Sequence, residues 1–260
     1  MMNDMLKDIL ADIGEVSCYL WQKGWAERNA GNVSIDVTED VPKVEGAFKR
    51  FSDKSVSSFP ELAGSYFFIT ATGSRFRDVS RSPEENVLLV RITRELDGYE
   101  LLWGGKRPGI KPTSEFISHL KIHAMLRRKN LPQRVFLHTH PTHLIALSNI
   151  GQYTDENALN QLLWSMHPEV RVFLPEGVGF APYRCPGSED LADVTINALE
   201  SHRVVLWEKH GAGAIGSDIK EAFDLLDMTN KAAEIFTICK SAGFQPRGLS
   251  DEQLDELAKL

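Results

Sequence analysis

Apolar residues at Met5, Ile9, Ile13, Val16, Leu20 and Trp21 step by three or four along the start of the chain. That is the spacing of one face of an amphipathic helix, and Gly24 is its natural stop. The polar stretch RNAGN (28–32) then runs into alternating VSIDV, which predicts a turn feeding a strand. Short apolar runs at 66–70 (YFFIT), 86–93 (NVLLVRIT) and 99–103 (YELLW) predict further strands with turns between them. Residues 38–60 are polar and mixed, and read as a surface insertion. At 112–129 Pro, Thr and Ser precede a helical pattern with a basic end, the marks of a helix start and stop.

Downstream, RVFLHTH (134–140) reads as a strand, followed by helical stretches around 142–149 and 155–166. The segment 169–183 suggests two short strands about a turn, and 188–202 a helix. RVVLWEKH (203–210) reads as a strand, after which GAGAIGS is expected to turn the chain into a long helix from about 218 to 242, with a short terminal helix after it. No internal repeat, low-complexity tract or convincing linker interrupts this pattern. Residues 1–260 are therefore expected to form a single α/β domain, a mixed sheet with helices packed on it.

Composition narrows the function more than the fold. The chain has 260 residues, 42% of them apolar and 25% charged, enough to bury a large core without a disulfide or metal to hold it together. With 29 basic and 36 acidic residues the net charge is −7, which argues against non-specific binding to nucleic acid or anionic membranes. An anionic substrate must then be held by local donors. Cys18, Cys185 and Cys239 are widely spaced and form no CxxC pair, so neither a disulfide framework nor a thiolate zinc site is expected. The first sixteen residues carry acids throughout their apolar pattern and lack the marks of a signal peptide. No apolar run approaches a membrane span, and the expected location is the cytoplasm.

Histidines supply the first candidate chemistry. His138 and His140 stand at i and i+2 of an expected strand, so both side chains face the same way, about 6.6 Å apart at roughly 3.3 Å per residue. They are able to converge on one ion, and spacing alone leaves open the plainer reading of two residues capping a strand end. His143, beyond Pro141, is expected to cap or pack against a helix. His119 and His123, at i and i+4 on the preceding helix, have a chelating spacing as well. His123 follows Leu120 and Phe116 on an apolar stripe, which favours a core histidine or one hydrogen-bonded behind a site. His210 ends an apolar strand immediately before glycines, a common posture in α/β active sites. With His138 and His140 it suggests three imidazoles and an open coordination position, the catalytic arrangement for zinc.

Two further features suit an anion. In PTSE the backbone N–H groups of a helix start lie beside the hydroxyls of Thr113 and Ser114. Glu115 there is either a helix-stabilising carboxylate or a general base close to the metal. The turns RNAGN (28–32) and TATGS (70–74) match neither the P-loop nor the dinucleotide fingerprint, so each also reads as an ordinary loop; together with PTSE, their small residues and neutral donors suit a phosphate group.

Taken in order, KGWAERNAGNVSI, FFITATGSRFRD, YELLWGG, PTSEF, LHTHPTHLIAL, PEGVG and VVLWEKHGAGAIG resemble the class II aldolase/adducin superfamily over nearly the whole chain. The resemblance implies an α/β sandwich whose largely antiparallel central sheet is covered by helices. It implies a homotetramer of fourfold symmetry with active sites at subunit interfaces. By the same resemblance His138, His140 and His210 are ligands of one Zn2+ per subunit, and Glu115 is the catalytic carboxylate. Asn29, Asn32, Thr72, Gly73 and Ser114 correspond to the phosphate-binding positions, and Glu169, from a neighbouring subunit, to a second glutamate near the reacting hydroxyl. The implied reaction is the reversible retro-aldol cleavage of L-rhamnulose 1-phosphate to dihydroxyacetone phosphate and L-lactaldehyde. The alternatives are an enzyme of the superfamily acting on L-fuculose 1-phosphate or L-ribulose 5-phosphate, and a non-catalytic adducin-like scaffold. Ala71 and Thr72 depart from a common Gly-Ser pair, though threonine keeps the hydroxyl; residues 38–60 and the C-terminal tail match poorly.

Overall fold

A computed structural model describes residues 2–42 and 48–260. Among the described residues nine strands form one sheet: β1 (Asn32–Asp36), β2 (Lys49–Ser52), β3 (Tyr66–Thr70), β4 (Val87–Ile92), β5 (Gly98–Gly104), β6 (Val135–Thr139), β7 (Val178–Ala181), β8 (Val204–Trp207) and β9 (Gly211–Gly216). Their order is β2-β5-β4-β3-β1-β6-β9-β8-β7. Every pairing is antiparallel except β7 with β8. The expected α/β class and largely antiparallel sheet are therefore observed.

Alternation divides the sheet between two layers of helices. Val33 and Ile35 of β1, with Val135 and Leu137 of β6, join the main apolar cluster, to which Ile13, Leu163 and Leu226 of three helices also belong. Those helices are Asp4–Gln22, Glu156–Met166 and Ile219–Ser241. The opposite face carries the helix Phe116–Arg128, which packs against the helix Glu189–Leu199. Two separate apolar clusters lie on that face. One takes Phe116, Leu120 and Ala124 from the helix, and the other Ile122, Met125 and Leu126.

Four sequence expectations need correction. Residues 169–173 belong to the helix Pro168–Phe173, because Pro168 at its start and the burial of Val170 and Leu174, four apart, suit a short helical turn. Residues 211–216 form β9 near the middle of the sheet. Its glycines hide the strand signal: a Cβ on Gly213 would lie 2.5 Å from the Phe136 ring of β6. The segment 38–60 includes edge strand β2 and buried Val56 and Phe59, so it contributes to the core rather than merely decorating it; its residues 43–47 lie outside the described residues. Glu115, expected as a possible helix-stabilising carboxylate, occupies the N-cap position of the helix Phe116–Arg128, and its side chain makes no capping hydrogen bond there. All three cysteines are free. Among the described residues no helix is long and apolar enough to cross a membrane.

Candidate active site

The site lies where the ends of β1, β6 and β9 meet, in the middle of the sheet. His138 is the fourth residue of β6 and sits opposite Asn32 on one side and Gly213 on the other. His140 follows the strand end, its N–H bound to the Trp25 carbonyl. His210 occupies the turn from β8 into β9, next to Lys209, whose φ is +59°. One coordinating atom from each imidazole lies within 4.8 Å of the others. Gly211 permits this convergence: a Cβ there would stand 2.5 Å from the Thr139 carbonyl, 2.8 Å from the His138 ring and 2.9 Å from the His140 ring.

Hydrogen bonds fix how two of the rings present themselves. His138 Nδ1–H donates to the Ala212 carbonyl at 2.9 Å, and His140 Nδ1 lies 2.7 Å from the Glu27 carboxylate. Each leaves its Nε2 bare, the form a metal ligand needs. Burial, reinforced by the neighbouring imidazoles, holds His138 well below the ordinary histidine pKa and His210 at about 4. The indole of Trp207 lies against both rings, at centroid distances of 4.3 and 5.0 Å. Three converging imidazole nitrogens fit a divalent transition metal with a position left open.

Glu115 faces this group. Its two oxygens lie 3.9 Å from His138 Nε2 and 3.8 Å from His210 Nε2, and it is only 4% exposed. Burial raises its pKa; the amide of Asn32, donating at 2.8 Å, opposes the shift. A cavity of about 170 Å3 is lined by the three histidines, Glu115, the 29–32 turn, the 71–74 turn and Thr113–Ser114. Arg107 steadies the second turn through the Thr72 carbonyl (3.3 Å) and Ser74 hydroxyl (3.1 Å).

Every site residue named from the sequence lines that cavity except Glu169. Glu169 lies 2.9 Å from His167 in a separate, open cavity of about 690 Å3. Asn32 lines the cavity, but its side chain is engaged between Glu115 and His119. His143 points elsewhere, to the Thr237 hydroxyl at 2.6 Å. His119 and His123 are buried behind Glu115, both bound to Ser34. Sequence reasoning missed Glu27, Ser34, Trp207 and Arg107. For Glu27 the available signal was an acid two residues ahead of the Asn29 turn; the others had none in the local pattern.

Comparison with known proteins joins these observations. The Class II Aldolase and Adducin N-terminal domain family matches residues 11–237. The rhamnulose-1-phosphate aldolase of Bacteroides thetaiotaomicron is 41% identical over 248 residues, 95% of this chain and 91% of that protein. The enzyme of the same name from Listeria innocua is 33% identical, covering 100% and 95%. A solved sugar-phosphate aldolase from Thermotoga maritima superposes with a TM-score of 0.78 at 34% identity, over 93% of this chain and 99% of that one.

Proposed function

The chain belongs to the class II aldolase and adducin N-terminal domain family, and we propose that it catalyses reversible retro-aldol cleavage of L-rhamnulose 1-phosphate into dihydroxyacetone phosphate and L-lactaldehyde. It is a metal-dependent aldehyde-lyase, and the similarity to aldolases of that name over 95–100% of its length supports the substrate. The observation that carries the reading is the meeting, in one cavity, of three convergent imidazoles, a buried carboxylate and two donor-rich turns.

His138, His140 and His210 would hold one Zn2+, favoured by an all-imidazole set with an open position. When bound, the ion supplies Lewis-acid stabilisation of the negative charge that develops on the substrate oxygens at C2 and C3. Asn29, Thr72, Gly73 and Ser114 bind the phosphate through neutral donors, and Asn32 completes that wall. This remote grip keeps the reacting carbons in register. Loss of the C4 hydroxyl proton breaks the C3–C4 bond, releasing the aldehyde and leaving the electron pair on the three-carbon fragment. Glu115 delivers the proton to C3, and removes it in the direction of synthesis. Burial suits it to both tasks by raising its affinity for the proton. Glu169 of the partner subunit receives the C4 hydroxyl proton in a fourfold homotetramer; its placement outside this chain's own cavity is compatible with a role across an interface. The assembly works in the cytoplasm.

The test is dihydroxyacetone phosphate release from a panel of ketose 1-phosphates, before and after chelation. Release from L-rhamnulose 1-phosphate should be fastest and should stop when metal is removed. Faster release from L-fuculose 1-phosphate would move the chain to the neighbouring branch. Indifference to chelation, with no release at all, would leave the scaffold reading.

A further inference from the structure

Behind Glu115 lies a polar seam that the reaction as described does not use. Asn32, Ser34 and Asp36 alternate along β1 and face the helix Phe116–Arg128, which answers with His119, His123 and Arg127 at intervals of four. Two strand residues advance about 6.6 Å and four helical residues about 6 Å, so the two polar rows stay in register. Their contacts follow that register: Asn32 with His119, Ser34 with both histidines, and Asp36 with Arg127 at 2.7 Å. The seam runs between the two apolar clusters of that face. Asn32, Ser34 and both histidines are buried.

Hydrogen-bond chemistry fixes a direction along this row. The Asn32 amide places its Nδ2–H against Glu115 Oε2 and donates to it at 2.8 Å. Its Oδ1 then faces His119 Nε2 at 2.6 Å, and that nitrogen must carry the proton. The neutral ring has a bare Nδ1, which accepts from the Ser34 hydroxyl at 2.6 Å. Ser34, having given its proton, accepts from His123 Nε2–H at 2.7 Å. Burial is consistent with neutral rings, holding His119 at about 3 and His123 at about 4.

We infer that His123, Ser34, His119 and Asn32 form a one-way chain of donors that terminates on Glu115, and that His119 is a positioning residue for that carboxylate. Without His119 the Asn32 amide is free to flip, presenting an oxygen to the carboxylate, and Glu115 leaves its place beside the histidine triad. This role rests on the proposed action of Glu115 at C3, whereas the order of protons along the chain does not.

The proton order is read first, on metal-free wild-type protein carrying 15N-labelled histidine at pH 7.5. His119 and His123 should both show protonated Nε2 and bare Nδ1. A reversed chain, with His119 protonated at Nδ1, overturns the inference whether or not the protein is an aldolase. Positioning is read next from His119→Phe, which keeps a ring but removes both nitrogens. Its kcat should fall 10- to 100-fold, the range for outer-layer partners of a site, with KM and bound metal within about threefold of wild type. His119→Gln, which restores an N–H donor, should recover part of the loss. A kcat within twofold of wild type, or a loss confined to KM, overturns the positioning role. Should His119→Phe not fold, Ser34→Ala carries the same readings: a fall in kcat supports the chain, and an unchanged kcat overturns it. If the wild type cleaves no ketose phosphate, the failure lies with the proposed function, and the proton order still decides the chain.

Discussion

At the scale of single residues, Glu115 and the histidines have separable duties. Glu115→Gln keeps the size and accepts a hydrogen bond, but cannot take a proton. It should retain metal and fold while kcat falls by about 10^2- to 10^4-fold, the range for losing a general acid–base; full turnover in a metal-loaded variant would remove Glu115 from the reaction. His210→Ala should lose metal, because one of three convergent nitrogens is gone, whereas His143→Ala, tied to Thr237, should keep it. Glu27→Ala should weaken metal about 10- to 100-fold by freeing the His140 ring, checked by competition with a chromophoric chelator. Much of this was legible in the sequence. Strand alternation alone pairs His138 with His140, and the glycines after His210 mark a strand end near the same place. Glu27 and Ser34 were not legible, since each matters only through a partner 113 or 85 residues away.

At the scale of elements, long amphipathic segments were readable because one face must be buried, as in the helices Asp4–Gln22 and Ile219–Ser241. β9 was not readable, and its physical reason doubles as a functional one. A strand normally announces itself through branched or aromatic side chains, but Gly211 and Gly213 face the site and the Phe136 ring, where larger residues would collide. Gly211→Ala therefore tests whether the strand is shaped by the histidines. The added methyl should push His138 and His140 apart, cost about 1–3 kcal/mol in stability and weaken metal binding. Gly24→Ala, where nothing lies within 4 Å of the added atom, should leave metal untouched despite its strained φ of +74°. Equal metal affinity in Gly211→Ala and wild type would show that close packing there is dispensable.

At the scale of the whole molecule, the sheet carries two apolar faces and one polar seam, and the seam governs its response to acid. The sequence pattern conveyed a mixed sheet with helices packed on it, and the family resemblance the sandwich, but neither conveyed that a row of buried polar residues divides one face; that follows only from the register of β1 against the helix Phe116–Arg128. Burial lowers His119 to about 3 and His123 to about 4 in the folded chain, against about 6.5 when unfolded. Between those limits the unfolded chain binds more protons than the folded one, so folding stability must rise with pH. The contribution is complete above about pH 6.5 and is lost as pH falls toward 4 and then 3, at up to about 1.4 kcal/mol per pH unit for each histidine. In metal-free protein His138 and His210, lowered for the same reason, add in the same direction. Urea unfolding of the metal-free chain from pH 7.5 to 5 should therefore show a midpoint that is flat above neutrality and falls steeply below about pH 6.5, before most carboxylates begin to titrate. Adding the divalent ion should raise the curve most at neutral pH and least at pH 5, because protons and metal compete for the same nitrogens. A midpoint unchanged between pH 7 and 5 would mean that these histidines are not held neutral inside the fold, and the seam would lose its physical basis.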